Sequence, residues 1–197
     1  ALGQGLAFRE SEGPVLPPIR DAAGIAALRP ENLLGRLEPV FETVRQVRHG
    51  LQGEGLGDTS LIGFAGAPFT VACYMVEGGG SRDFAATRLM AFRSPDSFGR
   101  LLQIIGDATV AYLSAQIAAG AEAVMLFDSW AGVLPASQFR ANVIQATRDV
   151  VDAVRRLHPG VPVIGFPRLA GLLVGEYART TGVDAVGLDT GMDLALV

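Results

Sequence analysis

The 197-residue chain contains no lysine and only one cysteine. All 16 basic residues are arginines, and they are dispersed along the sequence. A nucleic-acid-binding tract would group its basic residues, so this distribution argues against one. The single cysteine, Cys73, cannot form an intrachain disulfide, and its apolar neighbours predict a small buried residue rather than a reactive thiol. The scarcity of cysteine is consistent with a reducing, cytoplasmic location.

Signals for membranes, secretion and metals are also missing. No stretch reaches about 18 consecutive apolar residues, which argues against a membrane span. The first residues, ALGQGLAFRESEG, lack the basic-then-apolar order of a secretion signal. His49 and His158 lie at predicted helix ends, away from Cys73 and from any acidic pair with metal-ligand spacing. The sequence therefore predicts no metal site, no membrane association and no nucleic-acid partner.

The composition that remains is typical of one α/β domain. The chain is 49% hydrophobic and 18% charged, which is enough apolar material for a single core over residues 1–197. Short apolar runs predict strands at Leu61–Phe64, Ala123–Phe127, Val161–Phe166 and Asp184–Leu188. Helical periodicity predicts helices at Glu31–His49, Arg82–Phe92, Pro95–Gly120, Ser137–Leu157 and Leu169–Thr181, with Ser137 as an N-cap. This alternation predicts parallel strands, in either an open sheet or a (β/α) barrel.

The segment Leu61–Arg82 has the most distinctive local pattern. Its apolar start ends at a Gly-Ala-Pro turn, which predicts a buried strand feeding a helix with Pro68 in the first helical position. Three consecutive glycines, Gly78–Gly80, follow the helix and let the backbone adopt positive φ or approach a ligand closely. Junctions of this kind are where α/β proteins place their chemistry.

The same segment resembles the uroporphyrinogen decarboxylase family of tetrapyrrole biosynthesis, in its bacterial type. The resemblance rests on GFAGAPFT and YMVEGG and continues through AGAEAVMLFDSWAG and VGLDT; the matching segments are 13–20, 63–70, 74–79, 118–132, 163–168 and 185–190. It implies a (β/α)8 TIM barrel, of which this chain would supply the central part without the N- and C-terminal portions. We therefore expect a partial barrel in which parallel strands alternate with helices.

The resemblance also implies an activity. Members of the family convert uroporphyrinogen III to coproporphyrinogen III by decarboxylating four acetate side chains, without a cofactor, because the protonated pyrrole ring takes up the electrons. An aspartate and an arginine-rich loop that serve this chemistry would lie before Ala1, and a histidine loop would lie after Val197. No catalytic residue is therefore assigned within the chain, and we expect the chain alone to be inactive and prone to aggregate through open strand edges.

Four residues match substrate-contacting positions of the family. Tyr74 would donate to a substrate carboxylate, although a core tyrosine is the alternative. Ser129 would do the same, although it could instead cap the next helix. Phe64 would line the cleft or simply fill the core, and Arg168 would meet an anionic group or form a surface ion pair. The two carboxylates at strand ends, Asp128 and Asp189, are expected to be structural.

Two other interpretations remain open at this point. One is a related barrel methyltransferase that moves methyl groups between a thiol or corrinoid carrier and a substrate, with zinc bound by histidine and cysteine. The other is a fragment with no activity. On the leading interpretation the partner is the small-molecule tetrapyrrole uroporphyrinogen, and the complete protein would be a homodimer with two facing clefts.

Overall fold

A computed structural model of the chain describes residues 1–9 and 13–193. The strands are β1 (Ala7–Arg9), β2 (Gly13–Val15), β3 (Ile62–Gly66), β4 (Ala123–Asp128), β5 (Val163–Pro167) and β6 (Ala185–Val186). The helices are α1 (Ala22–Ala26), α2 (Leu33–Gly53), α3 (Pro68–Glu77), α4 (Ala85–Arg93), α5 (Pro95–Ala118), α6 (Ala136–Phe139), α7 (Gln145–Leu157) and α8 (Val174–Thr181). A π-helical turn, Arg140–Ile144, joins α6 to α7.

Strands β3, β4, β5 and β6 form one parallel sheet in chain order. Every connection between them contains at least one helix, because parallel neighbours need a crossover. The four strands predicted from the apolar runs are thereby confirmed, and the α/β class with them. The order without reversal is that of a barrel wall, so the chain has the fold of a partial (β/α)8 barrel.

The two faces of this sheet differ in burial. Ala65, Val124, Leu126 and Val163 point toward the helices and are buried against Leu113 of α5 and the valines of α7. The alternate residues point to the other face, where Phe64 remains 58% exposed. Because successive side chains of a strand alternate between faces, the sheet has one helix-covered side and one open side.

Helix α5 is the longest element and the centre of the core. Pro95 occupies its first turn, where a missing backbone N–H costs nothing, and Gly120 follows its end with φ +117°. Its buried side chains, among them Phe98, Leu101 and Ile105, pack under helices α3 and α4. By length and composition alone α5 could cross a membrane, but core helices of folded proteins meet the same criterion.

Two helix starts differ from the prediction. Ser137 is not an N-cap, because helix α6 begins at Ala136 and the extended Pro135 occupies the capping position without a side-chain hydrogen bond. Leu169 is not helical; its φ is +59°, and regular helix begins only at Val174. The carboxylate of Asp189 holds the Leu169 backbone N–H, so a distant residue overrides the local helical periodicity there.

The N-terminal part forms structure that the apolar pattern did not predict. Strands β1 and β2 pair as an antiparallel ladder, with Ala7 opposite Val15. The chain then packs along helix α3, and the Leu16 N–H donates to the Gly78 carbonyl at 2.7 Å. A Cβ at Gly78 would lie 2.7 Å from the Leu16 carbonyl oxygen, and the Gly78 φ is +86°, so only glycine fits this contact.

The outer edge of β3 is occupied by a side chain rather than by a strand. The Gln116 side chain accepts from the Phe64 N–H at 3.0 Å and donates to the Phe64 carbonyl at 2.9 Å. Gln116 is buried within helix α5 and reproduces the two hydrogen bonds of a neighbouring strand. A Cβ at Gly63 would approach its Oε1 to 2.9 Å, which explains why this strand position has no side chain.

Candidate functional site

A row of phenylalanines crosses the open face of the sheet. The rings of Phe64 and Phe127 meet edge to face with centroids 5.8 Å apart, and Phe127 meets Phe166 at the same distance. One ring comes from each of three neighbouring strands. The row ends at Phe166, because Gly187, which directly follows β6, has no side chain; a Cβ there would lie 2.9 Å from the Phe166 ring. The result is an apolar surface beside the carboxyl ends of the strands, where barrel proteins place their sites.

Tyr74 belongs to a second aromatic cluster, with Trp130 and Phe84, on segments that follow β3 and β4. It lies on α3, half-buried, with its ring centroid 6.3 Å from that of Trp130. Trp130 also packs on Phe84, with the ring centroids 4.7 Å apart. Phe84 is 1% exposed and has φ +52°, an unfavourable conformation for a bulky residue that its burial must offset. The buried Phe84 ring therefore holds the Trp130 ring, and Trp130 in turn contacts Tyr74.

Ser129 directly follows β4 and immediately precedes Trp130. It is half-buried, and the turn that follows has no side-chain cap, so the capping role considered from the sequence is not what the described residues show. The hydroxyls of Ser129 and Tyr74 make no hydrogen bond with other described residues. Both hydroxyl-bearing residues flank the same tryptophan.

Arg168 lies at the end of β5 and is exposed. Its backbone N–H donates to the Asp128 carbonyl at 3.1 Å, and its carbonyl accepts from the Gly132 N–H at 3.1 Å. These bonds fasten the loop after β5 to the loop after β4. The contact is close, since a Cβ at Gly132 would lie 2.5 Å from Leu169.

Asp189, which lies three residues after β6, binds the backbone of the same loop after β5. Its carboxylate accepts from the N–H groups of Leu169 at 2.7 Å and Gly191 at 3.0 Å. These hydrogen bonds, the one from Leu169 foremost, lower the pKa of Asp189, with a smaller effect from the charge of Arg168. Asp189 is thus an ionised group that holds backbone.

Asp128 is the last residue of β4 and is fully buried on the helix-covered side. Its Oδ1 accepts from the Thr70 hydroxyl at 2.6 Å, and its Oδ2 has no partner among the described residues. Burial raises the pKa of Asp128 to about 7, against the opposing effect of the Thr70 hydrogen bond. Asp128 therefore does not reach the open face.

Glu77, the last residue of α3, connects the two ends of the glycine loop by binding Thr87 of α4. The Glu77 carboxylate accepts from both the N–H and the hydroxyl of Thr87, each at 2.9 Å. It thereby satisfies a backbone donor in the first turn of α4, which lacks a capping side chain at its own N-cap residue, Phe84. Glu77, which sits between Tyr74 and the glycines, has a structural part in the site.

The residues described offer no cluster of three or more metal-ligating side chains. Cys73 is completely buried, and burial followed by the nearby charges of Asp128 and Glu77 raises the pKa of its thiol. It behaves as the small apolar residue that the sequence predicted.

Sequence reasoning missed Thr70, Gln116 and Trp130 as parts of this site. Thr70 and Gln116 lie within helical patterns, where nothing marks a polar side chain that bonds a strand 52 to 58 residues away. Trp130 carried a signal, because it is the only tryptophan and follows a strand end directly.

The fold defines the class: an α/β protein of the barrel type, with these groups near or after the carboxyl ends of its strands. A solved methyltransferase from Methanosarcina mazei has this fold, with a TM-score of 0.66 and 19% identity over 95% of this chain and 60% of that one. That likeness concerns the fold only.

The family itself is given by sequence. The profile described as "Uroporphyrinogen decarboxylase (URO-D)" matches residues 1–197, and the chain belongs to this family. It is 53% identical to a uroporphyrinogen decarboxylase of Gluconacetobacter diazotrophicus, over 99% of the chain and 57% of the relative. It is 53% identical to one of Granulibacter bethesdensis, over 100% and 57%. The chain thus spans little more than half the length of these relatives.

Proposed function

We propose that the chain forms one wall of the substrate cleft of an enzyme that decarboxylates uroporphyrinogen III to coproporphyrinogen III. In each of the four steps an acetate arm loses CO2 and its methylene carbon takes up a proton, which leaves a methyl group. Within this wall we assign no proton-transferring residue. Its residues bind and orient the substrate.

The observation that carries the proposal is the phenylalanine row together with two hydroxyls, one on the helix after β3 and one directly after β4. Phe64, Phe127 and Phe166 offer ring faces and edges to the pyrroles of a macrocycle, whose centre is apolar apart from its N–H groups. The hydroxyls of Tyr74 and Ser129 are free of other described partners and can donate to carboxylates at the macrocycle periphery. The exposed Arg168 can add a charged contact there.

Family membership supports the same substrate. The relatives of 53% identity carry the name of this enzyme, and the motif residues Tyr74 and Ser129 stand at matching positions of the family pattern. We further propose a cytoplasmic homodimer as the working form, without metal, nucleic acid or membrane partners.

The test uses the complete gene product that contains residues 1–197. It is incubated with uroporphyrinogen III under reducing conditions, and the products are separated by their number of carboxylates. We expect coproporphyrinogen to accumulate with no added cofactor. No loss of carboxylates, together with stoichiometric bound zinc, would refute the proposal and favour the methyltransferase interpretation. Sedimentation of the same sample tests the dimer.

A matched pair of variants tests the aromatic row. Phe64→Leu removes an exposed ring from the open face, whereas Phe92→Leu removes an even more exposed ring from α4. An aromatic contact contributes about 0.5 to 1.5 kcal/mol, so Phe64→Leu should raise KM by roughly 2- to 12-fold. Phe92→Leu should leave KM unchanged. Equal kinetics for both variants would remove the row from the site.

A further inference from the structure

A single hydroxyl connects the two elements that carry the substrate-contacting candidates. Thr70 lies on α3, and its Oγ1 accepts from the Trp130 backbone N–H at 3.1 Å. The same oxygen lies 2.6 Å from Asp128 Oδ1. The Thr70 hydroxyl thus accepts from the Trp130 backbone N–H and donates to the Asp128 carboxyl.

The residues that this hydroxyl binds are close in sequence to Tyr74 and Ser129. Thr70 precedes Tyr74 by four residues, which is about one helical turn, so the two lie along the same side of α3. Ser129 stands between Asp128 and Trp130, and both of its neighbours are held by Thr70. The Thr70 hydroxyl thus fixes the distance between the helix of Tyr74 and the turn of Ser129.

The buried environment shows that this arrangement is costly. Asp128 is 0% exposed and Thr70 is 6% exposed. Asp128 Oδ2 has no partner among the described residues, and neither has the Tyr177 hydroxyl nearby, whose pKa is raised by burial and by the charge of Asp128. An ionisable group buried with only one hydrogen-bond partner destabilises a fold. The contact that the Asp128 carboxyl makes among the described residues is the hydrogen bond with Thr70, so this bond is the function we consider for it.

We propose that Thr70 and Asp128 are positioning residues that hold Tyr74 and Ser129 in register for the substrate carboxylates. The inference rests on the proposed function, because it concerns residues that contact the same substrate. Neither Thr70 nor Asp128 touches the substrate itself, since both lie on the helix-covered side of the sheet.

The test compares three threonine variants of the complete gene product. Thr70→Val removes the hydroxyl and keeps the shape, and Thr70→Ser keeps the hydroxyl. Thr109→Val is the matched control, because Thr109 is also 6% exposed and its hydroxyl bonds only the Ile105 carbonyl of its own helix. We expect Thr70→Val to raise KM by about tenfold or more, in keeping with misplaced contacts to a charged group. Thr70→Ser and Thr109→Val should stay within about twofold of the parent.

The KM-against-kcat split separates positioning from plain stability. A purely structural defect lowers the fraction of active enzyme, so it lowers the apparent kcat and leaves KM unchanged. It should do so equally in Thr70→Val and Thr109→Val if the two variants have similar stability. That outcome, or a Thr70→Val variant with parental KM, would overturn the inference. If Thr70→Val does not fold, Asp128→Leu is measured in its place, because leucine removes the acceptor of the Thr70 hydroxyl whereas asparagine would keep it. The expectation is again a raised KM, and a parental KM would again refute the inference.

Hydrogen exchange at the Trp130 amide gives a readout independent of turnover. Thr70→Val should expose this amide to exchange at least about tenfold faster, whereas Thr109→Val should not. If the parent protein shows no decarboxylation, the proposed function fails, and the exchange rates alone decide the positioning. Equal Trp130 exchange in both variants would then refute it.

Discussion

Replacing Asp128 with asparagine should remove a pH dependence of stability that the buried carboxyl imposes. Burial raises the pKa of Asp128 from 3.8 to about 7 in the folded protein. Between these values the folded state keeps a proton that the unfolded state has lost. Stability from this group is therefore complete below the unfolded pKa and is lost as pH rises through the folded pKa.

The magnitude follows from the width of that window. The difference from 3.8 to about 7 is about 3 pH units, and each unit corresponds to about 1.4 kcal/mol, so roughly 4 kcal/mol is at stake. Between pH 5 and pH 8 the expected loss is about 3 kcal/mol. Asp184 and Asp189 do not mask it, because their lowered pKa values make their contributions complete above the ordinary aspartate range.

Urea unfolding followed by circular dichroism measures this difference in the complete gene product. At pH 5 the parent and Asp128→Asn should differ in unfolding free energy by about 1 kcal/mol or less, because asparagine resembles the neutral acid. At pH 8 the variant should be the more stable by about 3 kcal/mol. Parallel pH curves for the two proteins would show that Asp128 does not carry a proton in this window, and the reasoning from burial would be wrong.

Three further outcomes are expected. Tyr74→Phe and Ser129→Ala should each lower kcat/KM by about 10- to 150-fold without a change in unfolding midpoint, since a hydrogen bond to a charged group contributes about 1.5 to 3 kcal/mol; parental kinetics would exclude both from the site. Gly165→Ala places a Cβ 2.4 Å from the Tyr177 hydroxyl and should lower the free energy of unfolding by about 1 to 3 kcal/mol. The control Gly80→Ala has open space around its Cβ and should leave the free energy of unfolding unchanged, and chemical denaturation measures both variants. The 197-residue chain alone should show no decarboxylation and should aggregate in light scattering, and sustained turnover by it would contradict this.

The sequence was most informative where chain neighbours decide the structure. The strands appear as apolar runs because a strand covered on one face and paired in a sheet excludes charge. Pro68 and Pro95 mark helix starts because proline fits only the first turn. Pattern alone left an open sheet and a barrel equally possible, and the family motifs favoured the barrel.

Boundaries failed where a distant group intervened. The helix expected at Leu169 starts later because Asp189 captures its backbone. Strand β6 is only two residues long, whereas the apolar run covers five, and only Ala185 and Val186 pair with β5.

The site divides in the same way. The candidates Tyr74, Ser129, Phe64 and Arg168 could be proposed in advance, because their motifs are local and the family resemblance implies roles for them. Their relation to one another could not, because it depends on the Thr70 hydroxyl meeting a carboxyl 58 residues later. Likewise Gln116 completes the edge of β3 from 52 residues away. The sequence alone thus determined the class, the family and the strand-end positions, which depend on neighbouring residues. Only the tertiary structure decided which face each side chain takes and which polar groups meet, because burial and long-range hydrogen bonds exist only after the chain has folded.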